Sequence, residues 1–223
     1  DLHRVDRRQR QMCIRDRICL AMSCNARVHI CHVSTKGSVN IIRAAKKDGV
    51  KVTCETAPHY FTFTDEKLLA RDADFRMSPP LRTEEDRAAV EEAVLDGTID
   101  CIITDHAPHS AEEKADFEKA PNGVVGLETS LAATLTKLYH SSKCGLDKIA
   151  EVMSVNPRKI MGLEPIKIAV GERCDLCIFD PDYEWEVIPA ELNSKSKNSV
   201  FKGTRLKGKV MYTICRGKLV FEL

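Results

Sequence analysis

Two apolar, β-rich runs each finish with a polar residue. These two polar side chains are the first candidates for catalysis or metal binding. His32 ends the run Val28–His32, and Asp105 ends the run Ile99–Asp105. Side chains alternate between the two faces of a strand, so each polar residue should share a face with its apolar neighbours. We expect those faces to point inward. A buried carboxylate such as Asp105 then needs a partner, because an isolated buried charge is costly.

An imidazole and a carboxylate from separate strands suit a borderline metal such as zinc. Zinc lowers the pKa of bound water to about 7, and a nearby carboxylate can carry the proton to a leaving group. Simpler interpretations stay open: His32 as a hydrogen-bonded core histidine, and Asp105 as the start of a turn before Pro108. His29 faces the other way and is interpreted as structural.

Strands and helices alternate around these residues. Ser34 or Thr35, and later Thr83, are predicted helix caps, and Gly49 and Gly97 are predicted helix ends. This alternation predicts βαβ units and a parallel sheet, with polar residues at the carboxyl ends of the strands. The predicted strands are 27–33, 50–56 and 99–104, and the predicted helices are 34–49, 83–97, 129–139, 147–153 and a short one from 156.

After Pro165 the pattern changes to short β-rich runs, which predict a separate all-β part. The runs are 174–179, 210–215 and 218–222, and the last two are predicted to form a hairpin. Turns are predicted at Asp180-Pro181 and Arg216-Gly217. We therefore divide the chain into 1–17, 18–165 and 166–223.

Composition excludes several classes of protein. The 34 Lys and Arg against 33 Asp and Glu give a net charge of +1, which indicates neither a nucleic-acid nor a membrane partner. No apolar run reaches the roughly 18 residues of a membrane span. The ten cysteines are scattered, so we infer a reducing cytoplasm rather than a disulfide framework. The one Cys-x-x-Cys, Cys174–Cys177, is interpreted as part of a buried strand.

Residues 1–17 carry six Arg and three Asp and show no helical or strand periodicity. We expect a solvated arm without a functional role. The run Met12–Arg17 also resembles a translated sequencing adapter, so we interpret 1–17 as a non-native segment.

Six runs resemble the bacterial dihydroorotases, a family of the cyclic amidohydrolase superfamily, and they occur in that family's order. The runs are His32-Val-Ser-Thr, Thr56-Ala-Pro-His59-Tyr, Met77-Ser-Pro-Pro-Leu-Arg82, Thr104-Asp-His-Ala-Pro-His109, Val125-Gly-Leu-Glu-Thr129 and Ser154-Val-Asn-Pro157. The resemblance implies an α/β fold. In it, this chain supplies strands six to eight of a (β/α)₈ TIM barrel and part of a small β-sandwich.

The same resemblance implies a hydrolase that reversibly opens dihydroorotate to N-carbamoyl-aspartate in pyrimidine biosynthesis. His32 then matches a zinc ligand, and Asp105 matches a residue that binds the metal and shuttles the proton. His109 and the loop Asn122-Gly123 match substrate contacts. Ser78 stands where many members carry an Asn that contacts the substrate. His59 matches a recurrent His that we interpret as packing rather than as a ligand.

The resemblance also implies groups that this sequence lacks. The family's site takes a His-x-His pair, a bridging carboxylate and a further His from earlier strands, and none of the seven histidines forms His-x-His. We therefore expect the C-terminal part of a chain about twice as long. That parent would bind one or two zinc ions and a small-molecule substrate, and a homo-oligomer stays open. Alone, this chain is expected to be inactive, with open sheet edges and an uncovered apolar face.

Three alternatives remain at this stage. The runs favour a dihydroorotase over a hydantoinase or dihydropyrimidinase, whereas an allantoinase shares parts of the pattern. A non-catalytic dihydroorotase-like subunit is the third, and the presence of both His32 and Asp105 argues against it.

Overall fold

The structure is a computed structural model that describes residues 7–223. The first part contains α1 (Arg7–Ser23), β1 (Val28–Ile30), α2 (Lys36–Lys47), β2 (Val52–Thr56), α3 (Pro58–Thr62), α4 (Glu84–Leu95) and β3 (Cys101–Ile102). It continues with α5 (Ser130–Thr134), α6 (Leu146–Ala150) and α7 (Asn156–Ile160). The last part contains β4 (Leu176–Glu186), β5 (Arg205–Cys215) and β6 (Lys218–Glu222).

The strands β1, β2 and β3 form a parallel sheet in that order, as the alternation of elements predicts. The third strand is shorter than predicted, because the residues before it make other bonds. The amide of Ile99 donates to the carbonyl of Ala93 at the end of α4, at 2.8 Å. β3 thus comprises Cys101 and Ile102. The amides of Asp100 and Ile103 on either side donate to the carbonyls of Cys54 and Thr56 in β2.

Local capping explains where the helices of this part begin and end. Thr35 accepts a hydrogen bond from the amide of Ser38, and Thr83 accepts one from Asp86, which confirms both predicted caps. Gly49 and Gly97 follow α2 and α4 with φ of 78° and 82°, a conformation that glycine adopts without strain. Across residues 7–223, no helix combines the length and the apolar character needed to cross a membrane.

The two faces of the parallel sheet differ in polarity. Ile30, Val52 and Cys54 belong to a buried core that also contains Val39 and Ile42 of α2. The apolar face of β1 and β2 is thus buried, as the alternation predicts, and it packs against helices.

The opposite face of β1 and β2 carries His29, Thr53 and Glu55, which are partly buried. The sequence led us to expect an uncovered apolar face on the sheet. At β1 and β2 the face that lies opposite the buried core is instead polar.

Residues 7–17 depart from the prediction of an arm without regular structure. They form the first part of α1, and Ile14 and Ile18 are buried in the core. The guanidinium of Arg10 donates to the carbonyl oxygens of Cys31 and His32 at 2.5 and 3.1 Å. Residues 1–6 of the predicted arm lie outside the described part of the chain.

The strands β4, β5 and β6 form an antiparallel sheet, and β5 and β6 are the predicted hairpin. Two expectations are wrong here. Asp180-Pro181 makes no turn, because β4 continues through a bulge between Asp180 and Glu184. The segment around Cys177 is not a buried strand, since most of β4 is exposed or half-buried and Cys177 itself is exposed.

Candidate active site

His32 and Asp105 leave their strands through the same unusual backbone conformation. Their φ angles are 56° and 48°, in the left-handed region that residues other than glycine rarely adopt. β1 ends two residues before His32 and β3 ends three residues before Asp105, so neither residue continues the alternation of its strand. Conformations of this kind cost about 1–3 kcal/mol each and cluster at functional sites.

The two side chains meet beyond the carboxyl ends of β1 and β3. His32 Nε2 lies 3.2 Å from Asp105 Oδ1, with side-chain exposures of 33% and 19%. The hydrogen bond with Asp105 raises the pKa of His32. Burial alone would raise the pKa of Asp105, but the rings of His32 and His59 outweigh it and hold that pKa well below its usual range. Asp105 is thus ionised at neutral pH.

His59 and Tyr60 support the second oxygen of this carboxylate. His59 is buried, and its Nε2 lies 3.6 Å from Asp105 Oδ2 with no hydrogen-bond partner of its own. Burial lowers the pKa of His59, which favours the neutral ring. The hydroxyl of Tyr60 donates to the carbonyl of Pro79 at 3.0 Å and lies 3.4 Å from Asp105 Oδ2. Burial and the charge of Asp105 raise the pKa of Tyr60, so it stays a donor.

This donor set fits a borderline metal ion. The imidazole of His32 and the ionised carboxylate of Asp105 are both ligand types that such a metal takes, and they lie side by side at the mouth of the sheet, partly accessible. The orphaned Nε2 of His59 is a third polar atom aimed at the same carboxylate. Two ligands do not complete a four-coordinate site, so further ligands would have to come from elsewhere.

A second group of predicted residues meets at neighbouring loops. His109 Nε2 lies 3.1 Å from the carbonyl oxygen of Asn122, and Asn122 is exposed while Gly123 is buried. Gly123 has a φ of 139°, and a Cβ there would lie 2.6 Å from the Cβ of Ala107. The loop can approach His109 this closely only with glycine at 123.

Ser78 lies between the buried residues Met77 and Pro79 and is itself exposed. Ser78 is linked to Asp105 indirectly. The next residue, Pro79, accepts a hydrogen bond from the hydroxyl of Tyr60, and that hydroxyl lies beside the carboxylate of Asp105. The structure thus joins His32 to Asp105 directly and His109 to Asn122 and Gly123 directly.

Two residues of this region are absent from the sequence-based candidates. Tyr60 directly follows His59 in one of the quoted runs, and that adjacency was the available signal. Asn198 lies in a polar stretch that predicts only a loop. Its side chain accepts from the amide of His109 at 3.2 Å and donates to the carbonyl of Gly123 at 3.0 Å. It therefore ties the two loops together, a role that needs tertiary structure to be seen.

A parallel α/β sheet with an imidazole and a carboxylate at its carboxyl edge agrees with the family to which the sequence belongs. The model of the amidohydrolase family matches residues 6–220, so this chain is a member of that family.

Curated relatives within the family are dihydroorotases. The dihydroorotase of Geobacter sp. (strain M21) is 50% identical over 204 residues, which are 91% of this chain and 48% of that protein. The dihydroorotase of Clostridioides difficile (strain 630) is 46% identical over the same shares. This chain therefore spans about half the length of the curated relatives it matches.

Solved structures agree on the fold. An L-hydantoinase (dihydropyrimidinase) from Arthrobacter aurescens superposes with a TM-score of 0.91 at 32% identity, over 97% of this chain and 49% of that one. A dihydropyrimidinase from Brevibacillus agri superposes with a TM-score of 0.86 at 27% identity, over 95% and 48%. The likeness supports an α/β fold of the TIM-barrel type.

Proposed function

We propose that this chain supplies one half of the catalytic unit of a dihydroorotase. The reaction is the reversible hydrolysis of the cyclic amide of dihydroorotate to N-carbamoyl-aspartate, a step of pyrimidine biosynthesis. The observation that carries the proposal is the contact of 3.2 Å between His32 and Asp105. It lies in a chain that is 50% identical to curated dihydroorotases over 91% of its length.

In this proposal His32 and Asp105 are metal ligands, and zinc is the metal that their donor atoms suit, as one or two ions. Bound zinc supplies a water whose pKa is about 7. The ionised Asp105 accepts a proton from the attacking water and returns it to the nitrogen of the opening amide. Tyr60 and His59 flank its second oxygen and fix the carboxylate in one orientation.

His109, Asn122, Gly123 and Ser78 form the substrate side of the proposed site. The exposed Asn122 and the ring of His109 offer hydrogen-bonding groups on adjoining loops, which suit the polar edge of a cyclic amide. Ser78 is exposed and offers one hydroxyl where a longer amide side chain would reach further. We expect it to contact the ring more weakly than an Asn would.

The same proposal covers the architecture around the site. The strands β1 to β3 would be strands six to eight of a TIM barrel, and residues 166–223 would be part of a β-sandwich. Residues 18–165 would form the barrel part, and 1–17 would be a segment of non-native sequence whose residues 7–17 pack on that part in α1. The ten free cysteines agree with a reducing cytoplasm. A homo-oligomer remains compatible with all of this.

The test restores the other half of the site. This chain would be mixed with a second polypeptide carrying the residues that precede the matched half in a dihydroorotase relative. Hydrolysis of dihydroorotate is expected only with both polypeptides and zinc. Asp105→Asn should abolish it, whereas His140→Asn, a substitution at a histidine bound to the carbonyl of Pro181, should not. Equal turnover by this chain alone, or by the Asp105→Asn mixture, would contradict the proposal.

A hydantoinase-type enzyme is the second candidate, because the superposition on the Arthrobacter aurescens enzyme reaches a TM-score of 0.91 at 32% identity. The reconstituted mixture should be offered dihydroorotate, hydantoin, dihydrouracil and allantoin in parallel. If hydantoin, dihydrouracil or allantoin is hydrolysed faster than dihydroorotate, the proposed substrate is wrong, whereas the proposed hydrolysis of a cyclic amide still holds.

A further inference from the structure

A second group of metal-type donors lies on the polar face of the parallel sheet. His29, Cys31 and Glu55 each offer one donor atom, and these three atoms lie within 4.8 Å of one another. In the part of the chain that the structure describes, no other group of three His, Cys, Asp or Glu meets this spacing. The function proposed above uses none of the three.

Strand register places these residues together. His29 pairs with Thr53 across β1 and β2. Cys31 and Glu55 each follow two residues later, and side chains two apart share a face. The cluster is thus set by the backbone of adjacent parallel strands and does not depend on the reach of long, flexible side chains.

The ring of His29 is already oriented toward the cluster. Its Nδ1 lies 2.8 Å from the hydroxyl of Thr53, and its Nε2 lies 3.1 Å from Glu55 Oε2. Histidines that bind metals usually hold their second nitrogen in such a hydrogen bond, which fixes the ring. His29 and Glu55 have side-chain exposures of 25% and 15%, and Cys31 is exposed, so an ion can reach them.

We propose that His29 Nε2, Cys31 Sγ and a carboxylate oxygen of Glu55 bind one borderline divalent cation, Zn²⁺ or Co²⁺. Thiolate, imidazole and carboxylate are the ligands that such ions take, and three protein ligands leave a fourth position open to water. Binding releases the thiol proton of Cys31 to solvent, and the single N–H proton of the neutral His29 ring sits on Nδ1, where it can donate to the hydroxyl of Thr53. Tetrahedral coordination with bonds of about 2.0–2.3 Å places donor atoms roughly 3.3–3.8 Å apart. The three donor atoms here lie within 4.8 Å of one another, so small side-chain adjustments bring them to that spacing.

This site does not rest on the proposed dihydroorotase function, because it shares no ligand with His32 and Asp105. A sulfur ligand also gives it a signature that the other site lacks. Cobalt bound by a thiolate shows an intense near-ultraviolet charge-transfer absorption, whereas cobalt bound by imidazole and carboxylate alone does not.

The experiment is a titration of this chain with Co²⁺ under reducing conditions, followed by absorption. We expect the charge-transfer band to saturate at one equivalent. Cys31→Ser should remove the band, and His29→Gln and Glu55→Gln should each weaken binding at least tenfold. Thr53→Val removes only the orienting hydroxyl, so it should keep the band and weaken binding 10- to 100-fold.

Matched controls separate this site from the nine other cysteines and from the proposed active site. Cys24→Ser changes an exposed cysteine outside the cluster and should leave the band unchanged. His32→Asn and Asp105→Asn should also leave it unchanged. Circular dichroism checks that every variant is folded. A wild-type chain without the band, or a folded Cys31→Ser variant that retains it, would overturn the proposal.

Discussion

The parallel and antiparallel sheets place their charged side chains in different settings. At the mouth of β1 and β3, Asp105 is largely buried among His32, His59 and Tyr60. On the antiparallel sheet, Glu184 of β4 faces Lys207 of β5 at 2.9 Å, with exposures of 62% and 42%. Water therefore screens the charges of Glu184 and Lys207 more strongly than those of Asp105 and its partners.

The backbone shows the same contrast. The parallel part has left-handed conformations at His32 and Asp105, shortly after β1 and β3 end. The hairpin between β5 and β6 uses its left-handed positions, Arg216 and Gly217, simply to make its turn. Left-handed residues that do not form a hairpin turn often mark functional sites. His32 and Asp105 are two such residues, and they meet at the partly buried carboxylate.

The largest expected effect is the fall in catalytic rate when the carboxylate of Asp105 is removed, and it tests the contrast between the two sheets. In the reconstituted enzyme, Asp105→Asn should lower kcat at least 10²- to 10⁴-fold, because it removes proton transfer and a ligand together. Glu222→Gln in exposed β6 is the matched control and should stay near the wild-type rate. Steady-state hydrolysis of dihydroorotate measures both. Equal losses would show that the two sheets do not differ in function.

The second effect is on stability. Phe61 of α3 is fully buried beside the site residues, whereas Phe221 of β6 is 39% exposed. Phe61→Ala should lower the free energy of unfolding by about 3–5 kcal/mol through lost burial and a cavity. Phe221→Ala should cost clearly less, because its ring keeps contact with water in the folded chain. Urea denaturation of both variants gives the comparison, and a larger cost at Phe221 would reverse it.

The third effect concerns two glycines with positive φ. A Cβ at Gly123 would clash with the Cβ and carbonyl oxygen of Ala107, at 2.6 and 2.8 Å. A Cβ at Gly217 would meet nothing within 4 Å. Gly217→Ala should therefore cost only the left-handed conformation, about 1–2 kcal/mol. Gly123→Ala should cost more and should also shift the amide resonance of His109 in NMR spectra. Equal unfolding midpoints would contradict this.

These comparisons also show what the sequence could predict. Val28–His32 and Ile99–Asp105 placed the two candidate ligands at the carboxyl ends of two strands of one sheet, and the caps Thr35 and Thr83 defined the helices between them. Strand runs and helix caps depend on residues that are close in sequence, so they can be predicted from the sequence alone. The left-handed turns are not local signals, because a His or an Asp adopts them only when tertiary contacts hold it there.

The residues that were missed share a dependence on long-range contacts. Asn198 reaches His109 and Gly123 across 89 and 75 residues of sequence. The face of β1 that carries His29 was predicted correctly by alternation. The burial of the opposite, apolar face was predicted as well, whereas the helix that covers it could not be read from the strand residues alone.

The smallest expected effect is the dependence of stability on pH. The pKa values of Asp105 and Glu184 are both lowered in the folded chain. A lowered pKa stabilises the fold above the unfolded value, about 3.9 for Asp and 4.3 for Glu, and this stability is lost as the pH falls through the folded value. The loss should be larger for the buried Asp105, because solvent screens Glu184 and Lys207.

Urea denaturation between neutral pH and the acid limit of folding tests this difference. The free energy of unfolding of the wild type should fall as the pH drops below about 4, since the unfolded chain then binds more protons. Asp105→Asn should flatten that fall, whereas Glu184→Gln should leave it nearly unchanged. Added salt should reduce the small difference in unfolding free energy between the wild type and Glu184→Gln. It should leave the larger difference between the wild type and Asp105→Asn, because salt screens exposed charges most strongly. A steeper change for Glu184→Gln would mean that the exposed sheet, and not the strand mouth, holds the more strongly coupled charge.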